Sequence, residues 1–445
     1  MKNLFIITLI TLGFSANAQE VKELSLKDAL TFALENKAEA KKAKLNVENS
    51  DHQIAEVRAM ALPQISLNGG LTYNPILQKN ALPGSFFGGE EGSIVLVPLG
   101  QKWSSNGTVS LTQNLFNQSV FTGLKAARST REFYTINQQL TEEQLIEKVS
   151  SCYYQVYISK QQLGIAENNL ASTRKVREII KGQFDNGLAK KIDLDRISVK
   201  ASNLEAARLQ LSNAVQLQEN TLKFFIGMPM GQQIKLPENT MEVTADAFTS
   251  KAEIENRTEM SLLKKQEQLL GFQKKTYQAE YYPVLSLSAN YGYLGQGTKM
   301  PLGGKPNDVF WSDFSSIGLN LHIPVFNGFS TRSKVRQAEV SLKKIEEDIK
   351  DTELALNYQF ENAKTQLNNS IINIKTQKEN ADLAKTVLEN TKNNYVNGLA
   401  SLTELLDAEN ALSEAQNNYT TAQLEYKLAE IQIIKSKGEL KNLVN

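Results

Sequence analysis

The 445-residue chain carries few side chains able to do covalent chemistry. Cys152 is its single cysteine, so no intrachain disulfide can form, and it reads as a buried structural thiol. His52 and His322 are the only histidines and lack metal-ligand spacing with any cysteine. No phosphate-cradling glycine loop, H-E-x-x-H helix or G-x-S-x-G elbow occurs. The chain is therefore read as no enzyme, with no catalytic residue, metal or cofactor. Three acids stand out by position instead. Asp193 and Glu404 each lie six residues after the glycine of a repeated Asn-Gly-Leu-Ala segment, and Asp407 follows Glu404 by one helical turn on the same face. The remaining helical acids read as solvated faces.

These acids sit in a chain that duplicates itself at an offset of about 210 to 220 residues, far longer than a solenoid period. Pro63-Gln64-Ile65-Ser66-Leu67 matches Pro283-Val284-Leu285-Ser286-Leu287, and Phe116-Asn117 matches Phe326-Asn327. Asn186-Gly187-Leu188-Ala189 matches Asn397-Gly398-Leu399-Ala400, in the same order along both halves. Between the first two landmarks of each half, apolar and small polar residues alternate with period two, which predicts strands with one apolar face. Ile65, Leu67, Leu71 and Tyr73 form one such set; Leu285, Leu287, Ala289, Tyr291 and Tyr293 form another. Val109 and Leu111, and the run Ile317, Leu319, Leu321, Ile323, Val325, supply the returning strands. Each is about the 9 to 11 residues of a transmembrane β-strand. The intervening stretches 74–106 and 295–312 read as exposed loops, and Trp103, Trp311, Tyr291 and Tyr293 are placed near strand ends, where an aromatic belt sits. His322 falls on the small polar face, as a lumen or girdle residue.

Elsewhere helix formers dominate, and Ser119 to Asp185 and Ser330 to Val396 contain no proline. A helix of some 65 residues is about 100 Å long, too long for a compact domain, and buries a narrow seam as coiled coils do. The division expected is a signal peptide at 1–18, a first structural repeat at 19–227, a connecting patch at 228–250 and a second repeat at 251–445. Within the repeats the β-hairpins fall at about 63–117 and 283–326, and the helical hairpins turn at 186–188 and 397–399. Leu4 to Phe14 is the apolar run of a secretory signal that ends in Ala16-Asn17-Ala18. Cleavage there removes Lys2, one of 49 basic residues, and matches the rest to the 48 acids, so no attraction to nucleic acid is expected.

Four strands cannot close a barrel, and open sheet edges are not tolerated in lipid. Eight strands leave a barrel filled by side chains, so twelve strands from three chains are the smallest open assembly. The Ser, Asn, Thr and Gly faces would then line water.

These landmarks resemble the TolC-like outer-membrane efflux protein family over nearly the whole mature chain. The resemblance implies a homotrimer with a twelve-stranded outer-membrane β-barrel and a periplasmic α-helical barrel. It also implies export through a tripartite efflux pump or type I secretion system, with a periplasmic adaptor and an inner-membrane transporter as partners. By the same resemblance, Asn186, Gly187, Leu188, Asn397, Gly398 and Leu399 are adaptor-docking tips, and Glu404 and Asp407 form acidic rings at a periplasmic gate. Crowding such a ring raises some carboxyl pKa values. The family's polar latch joins an aspartate, a tyrosine and an arginine. Asp193 and Tyr395 match two positions, Ala400 departs from the third, and Lys190 or Lys191 is the nearest substitute. Absent methionine and histidine clusters on the lumen faces disfavour a copper exporter. The competing reading is a secreted coiled-coil adhesin or structural envelope protein, which shares the signal and the long helices but has no need for four alternating strands.

Overall fold

A computed structural model describes residues 23–237, 254–301 and 308–444. The expected signal peptide, and residues 238–250 of the expected connecting patch, lie outside the described residues. The described elements are mostly helical, and among them no helix is long and apolar enough to cross a membrane. Two compact units are present, one within 1–44, 137–260 and 352–445 and the other within 45–136 and 261–351, so each draws on both halves of the sequence.

The second unit holds the sheet. Strands β1 (Gln64–Tyr73), β4 (Trp103–Phe116), β5 (Val284–Gly297) and β6 (Val309–His322) pair antiparallel in the order β1-β4-β5-β6. The register aligns residues of like polarity. Ile65, Leu111, Ala289 and Ile317 form one row across all four strands. The next row, Ser66, Ser110, Asn290 and Ser316, points to the other face, because successive residues of a strand alternate sides. Polar neighbours on that face bond to each other, as when the Asn320 amide donates to Ser288 Oγ at 2.9 Å. The apolar face is bare: Ile65, Leu67, Ile317 and Leu321 are all exposed, and among the described residues the outer edges of β1 and β6 have no partner strand. An apolar sheet face of this extent in water would be an aggregation liability.

Several details differ from the sequence reading, among them the expected loop 295–312, which gives 295–297 to β5 and 309–312 to β6. The expected run through Ile323 and Val325 stops at His322, because Pro324 lacks the N–H a ladder needs. The expected loop 74–106 gives its last residues to β4 and contains its own two-stranded sheet, β2 (Lys79–Pro83) with β3 (Ile94–Pro98). The run Ile94-Val95-Leu96-Val97, β-branched at three of its four positions, drives that pairing, although glycines and prolines surround it. The aromatic residues pair across strands: Tyr73 faces Trp103 at a ring separation of 4.6 Å, and Tyr293 and Trp311 lie 6.1 Å apart. Because β5 continues to Gly297, Tyr291 lies near the middle of its strand rather than at an end.

The helices recur in matching lengths. Helices α2 (Ala38–Ala59) and α5 (Thr258–Ala279) each have 22 residues and precede β1 and β5. Helices α3 (Gln118–Asp185) and α6 (Ser330–Val396) have 68 and 67, and α4 (Lys191–Ile226) and α7 (Leu402–Lys437) each have 36. At 1.5 Å per residue the longest are about 100 Å. In the sheet-bearing unit, ion pairs tie helix to helix: Arg131 to Asp51 at 2.6 Å, Lys265 to Glu132 at 2.6 Å and Lys274 to Glu339 at 3.0 Å.

The other unit has its main core where α1 (Leu26–Asn36) meets the middle of α3 and the end of α4. Leu30, Leu145, Val149, Tyr153, Leu222 and Ile226 are almost wholly buried there. Cys152 belongs to this core, and burial raises its thiol pKa, as expected of a structural cysteine. The Tyr153 hydroxyl donates to the Leu24 carbonyl at 3.0 Å, and the Leu24 N–H donates to the Lys235 carbonyl at 2.8 Å. Gly227 ends α4 at φ +74°, and a Cβ there would lie 3.1 Å from the Asn36 carbonyl carbon, so both conformation and space demand glycine. Arg257, 2% exposed, is held by both carboxylate oxygens of Glu259 and by the Ser436 carbonyl, which satisfies a charge that burial would otherwise make costly.

Candidate functional site at the helical tips

The two Asn-Gly-Leu segments close α3 and α6 by the same backbone device. The Gly187 N–H donates to the Phe184 carbonyl at 2.9 Å and the Leu188 N–H to the Gln183 carbonyl at 2.7 Å. Gly398 and Leu399 repeat this on Tyr395 and Asn394 at 3.1 and 2.8 Å. This paired pattern is the Schellman closure, and it places Gly187 and Gly398 at φ +73° and +72°. At both turns the glycine alone adopts positive φ. The asparagines act through their side chains: the Asn186 amide donates to the Gly182 carbonyl at 2.7 Å and the Asn397 amide to the Asn393 carbonyl at 2.9 Å. The leucines that follow are bare, with Leu188 81% and Leu399 79% exposed.

Behind the turns the two helical hairpins share one small core. Ile180 of α3, Ile197 of α4 and Leu402 of α7 are buried together, with Val176, Leu194, Tyr395 and Leu406 packed around them. Tyr395 is the half-buried member, and its hydroxyl pKa is raised first by burial and second by the negative charge of Asp193. The structure therefore brings the expected pair Asp193 and Tyr395 near each other.

Glu404 and Asp407 are exposed, while Leu402, Leu405 and Ala408 of the same helix are buried. The two acids thus occupy the outward face of α7. Glu404 has a further duty that sequence reasoning passed over. Ser401 caps α7: its hydroxyl accepts from the Glu404 N–H at 3.2 Å, while the Glu404 carboxylate accepts from the Ser401 N–H at 2.6 Å and from its hydroxyl at 2.9 Å. The reciprocal arrangement is a capping box, and its Ser-x-x-Glu spacing was visible in the sequence. Donation by the Ser401 N–H, then by its hydroxyl, holds the Glu404 carboxyl below the usual range. Within one chain Glu404 thus shifts opposite to the rise expected of a crowded ring.

The cross-helix polar bridges were also missed. Arg196 Nη1 donates to Thr403 Oγ1 at 3.1 Å, and one turn on, Lys200 Nζ donates to Asn410 Oδ1. The Asn169 amide donates to Ser413 Oγ at 3.1 Å. Lys200 and Ser413 line a small cavity of about 40 Å³ with Thr173, Glu409, Leu204 and Leu388. Burial raises the Glu409 carboxyl pKa, opposed by the positive charges of Lys200 and Lys392. Lys190 and Lys191, the substitutes considered for the missing arginine, are exposed, and the bonds from α4 to α7 are made by Arg196 and Lys200. No local pattern announces such a bridge, because its partners lie far apart in sequence and meet only in the packed hairpins.

The fold recurs in known proteins. The model of the outer membrane efflux protein family matches residues 30–228 and 251–439. The outer membrane protein TolC of Vibrio cholerae is 21% identical over 394 residues, covering 87% of this chain and 84% of that protein. The alkaline protease secretion protein AprF of Pseudomonas aeruginosa is 22% identical over 417 residues, covering 91% and 82%. Among solved structures, the outer membrane protein VceC of Vibrio cholerae superimposes with a TM-score of 0.72 at 16% identity, covering 93% of this chain and 96% of that one. The open-state MtrE outer membrane channel of Neisseria gonorrhoeae gives 0.70 at 18% identity, covering 94% and 90%. The chain belongs to the outer membrane efflux protein family, whose members are TolC-like transport ducts of the outer membrane and not enzymes.

Proposed function

We propose that three copies of this chain join their sheets edge to edge into a twelve-stranded barrel in the outer membrane, and that their long helices form a duct through the periplasm. The observation that carries this is the sheet: its apolar rows run in register across all four strands, its opposite face is polar, and both outer edges are open. In lipid such edges must be closed by more strands, and three copies are the fewest that leave an aqueous lumen. The polar face lines that lumen, and the apolar face meets the acyl chains.

The duct exports substrates from periplasm to exterior as the outer part of a tripartite efflux pump or type I secretion system. An inner-membrane transporter supplies the substrate, and a periplasmic adaptor docks on the tips. Leu188 and Leu399 are the apolar contacts available to such an adaptor, and Gly187 and Gly398 fix the turns that present them. Glu404 and Asp407, on the outward face of α7, form a gate of six carboxylates in the trimer that concentrates cations. Asp193 and Tyr395 latch the tip closed, with Arg196 supplying the bond to α7 in place of the arginine absent at Ala400. The two halves, 19–227 and 251–445, act as repeats that contribute equivalent hairpins to barrel and duct.

The test is the state of the purified protein. A detergent-dependent trimer that conducts ions across a planar bilayer is expected; a monomer soluble without detergent contradicts the reading and returns the adhesin alternative.

A further inference from the structure

The crossing from β6 to α6, residues 323–329, presents apolar side chains with little packed against them. Val325 and Phe326 are 92% and 75% exposed, and Phe329 and Tyr281 are also exposed. Phe329 stands at φ +64°, the left-handed region, and is the one such non-glycine among the described residues. A bulky side chain disfavours that conformation. What it achieves is to set the Phe329 ring edge-on to Phe326, with centroids 5.4 Å apart. A strained backbone that holds two large rings in the open has its compensation outside the chain.

The rings border a cavity of about 190 Å³ that also touches Tyr281, Val325 and Arg332. Arg332 has no carboxylate within ion-pairing distance among the described residues. The nearby acid Glu280 is already taken, by Lys334 Nζ at 2.8 Å and by Thr331 Oγ1 at 2.8 Å. Along the chain the surface therefore changes from aliphatic (Leu319, Leu321) to aromatic (Phe326, Phe329) to a cation that no described carboxylate pairs (Arg332). That is the order of acyl chain, interface and phosphate in a phospholipid leaflet.

We propose that this crossing binds one membrane phospholipid, its phosphate paired with Arg332 and its glycerol-proximal acyl carbons lying over Phe326 and Phe329. The proposal rests on the membrane reading of the sheet. A second copy of the chain fits the surface less well, since Met60 to Gln64, the segment entering the other open edge strand, carries no acid for Arg332. The first half has no equivalent site. Five residues after Asn117, where Arg332 follows Asn327, stands the buried Thr122.

The test is native mass spectrometry of detergent-solubilised, delipidated protein titrated with dimyristoyl phosphatidylglycerol. One tightly held lipid per chain is expected for wild type and for the control Lys343→Gln, with retention at least tenfold lower in Arg332→Gln. Phe329→Gly, which suits the left-handed backbone, should retain thermal stability and lose lipid, separating binding from folding. Unchanged retention in Arg332→Gln overturns the proposal, as does displacement of the lipid by inorganic phosphate. A disulfide between copies formed by Phe326→Cys in a Cys152→Ser chain would show a protein neighbour on the surface and also overturn it. Protein that stays soluble without detergent would instead defeat the membrane reading itself.

Discussion

The two tips carry the same Asn-Gly-Leu-Ala segment and the same backbone closure, yet the helices that leave them start differently. After Gly398, Ser401 caps α7 and engages Glu404 in a reciprocal box. After Gly187, the capping position of α4 is Lys190, whose side chain makes no capping bond, so Asp193 is left to act on Tyr395. Acids at matching distances from matching glycines thus do different work: Glu404 fixes its own helix end, and Asp193 faces the other hairpin. Duplication preserved the turn, and a serine-for-lysine difference three residues beyond the glycine separated the roles.

The comparison predicts a graded series. The largest effect belongs to what the tips share. Ile197→Ala empties the core between the hairpins at a cost of about 2 to 5 kcal/mol, and hydrogen exchange should accelerate at both turns together. Acceleration at one turn only would mean the hairpins are not coupled there. Next, Gly187→Ala and Gly398→Ala each force a Cβ into left-handed backbone at about 1 to 2 kcal/mol, and the two variants should lose similar thermal stability. Smaller and unequal effects come from the caps: Ser401→Ala costs about 1 kcal/mol, whereas Lys190→Ala stays within about 0.5 kcal/mol. Equal losses would erase the distinction between the tips.

The smallest effect is one of pH. The Glu404 carboxyl is held below its ordinary value of 4.5, so its capping contribution is complete above that value and is lost as pH falls through the lower folded value. Exchange at the start of α7 should therefore rise in acid more than in the Glu404→Gln variant, which lacks the titrating group. Identical acid profiles would remove Glu404 from the cap.

Much of this was legible in the sequence, for physical reasons. Strand faces show because side chains alternate with period two, so Leu285, Leu287 and Ala289 declared their side before any pairing was known. Helices as long as α3 and α6 show because proline is missing from them. The turns show because glycine is required where φ is positive. The short pairing of β2 with β3 was hidden by the glycines and prolines around Ile94, whose local signal is that of a loop. Arg196 and Lys200 were hidden for another reason: nothing within a few residues distinguishes an arginine that crosses to Thr403 from one that points to water. The bond depends on packing between helices some two hundred residues apart. The strained Phe329 was equally silent, since a phenylalanine after Gly328 carries no sign of positive φ.

The central claim is that the chain forms a conducting trimer whose mouth is set by the outward acids of α7. Single-channel recording in a planar bilayer tests it most directly, comparing wild type with the double variant Glu404→Gln, Asp407→Asn. The account predicts a cation-selective conductance that multivalent cations block in wild type, with both selectivity and block reduced in the variant. No conductance from the wild-type protein, or identical selectivity and block in the two, would contradict it.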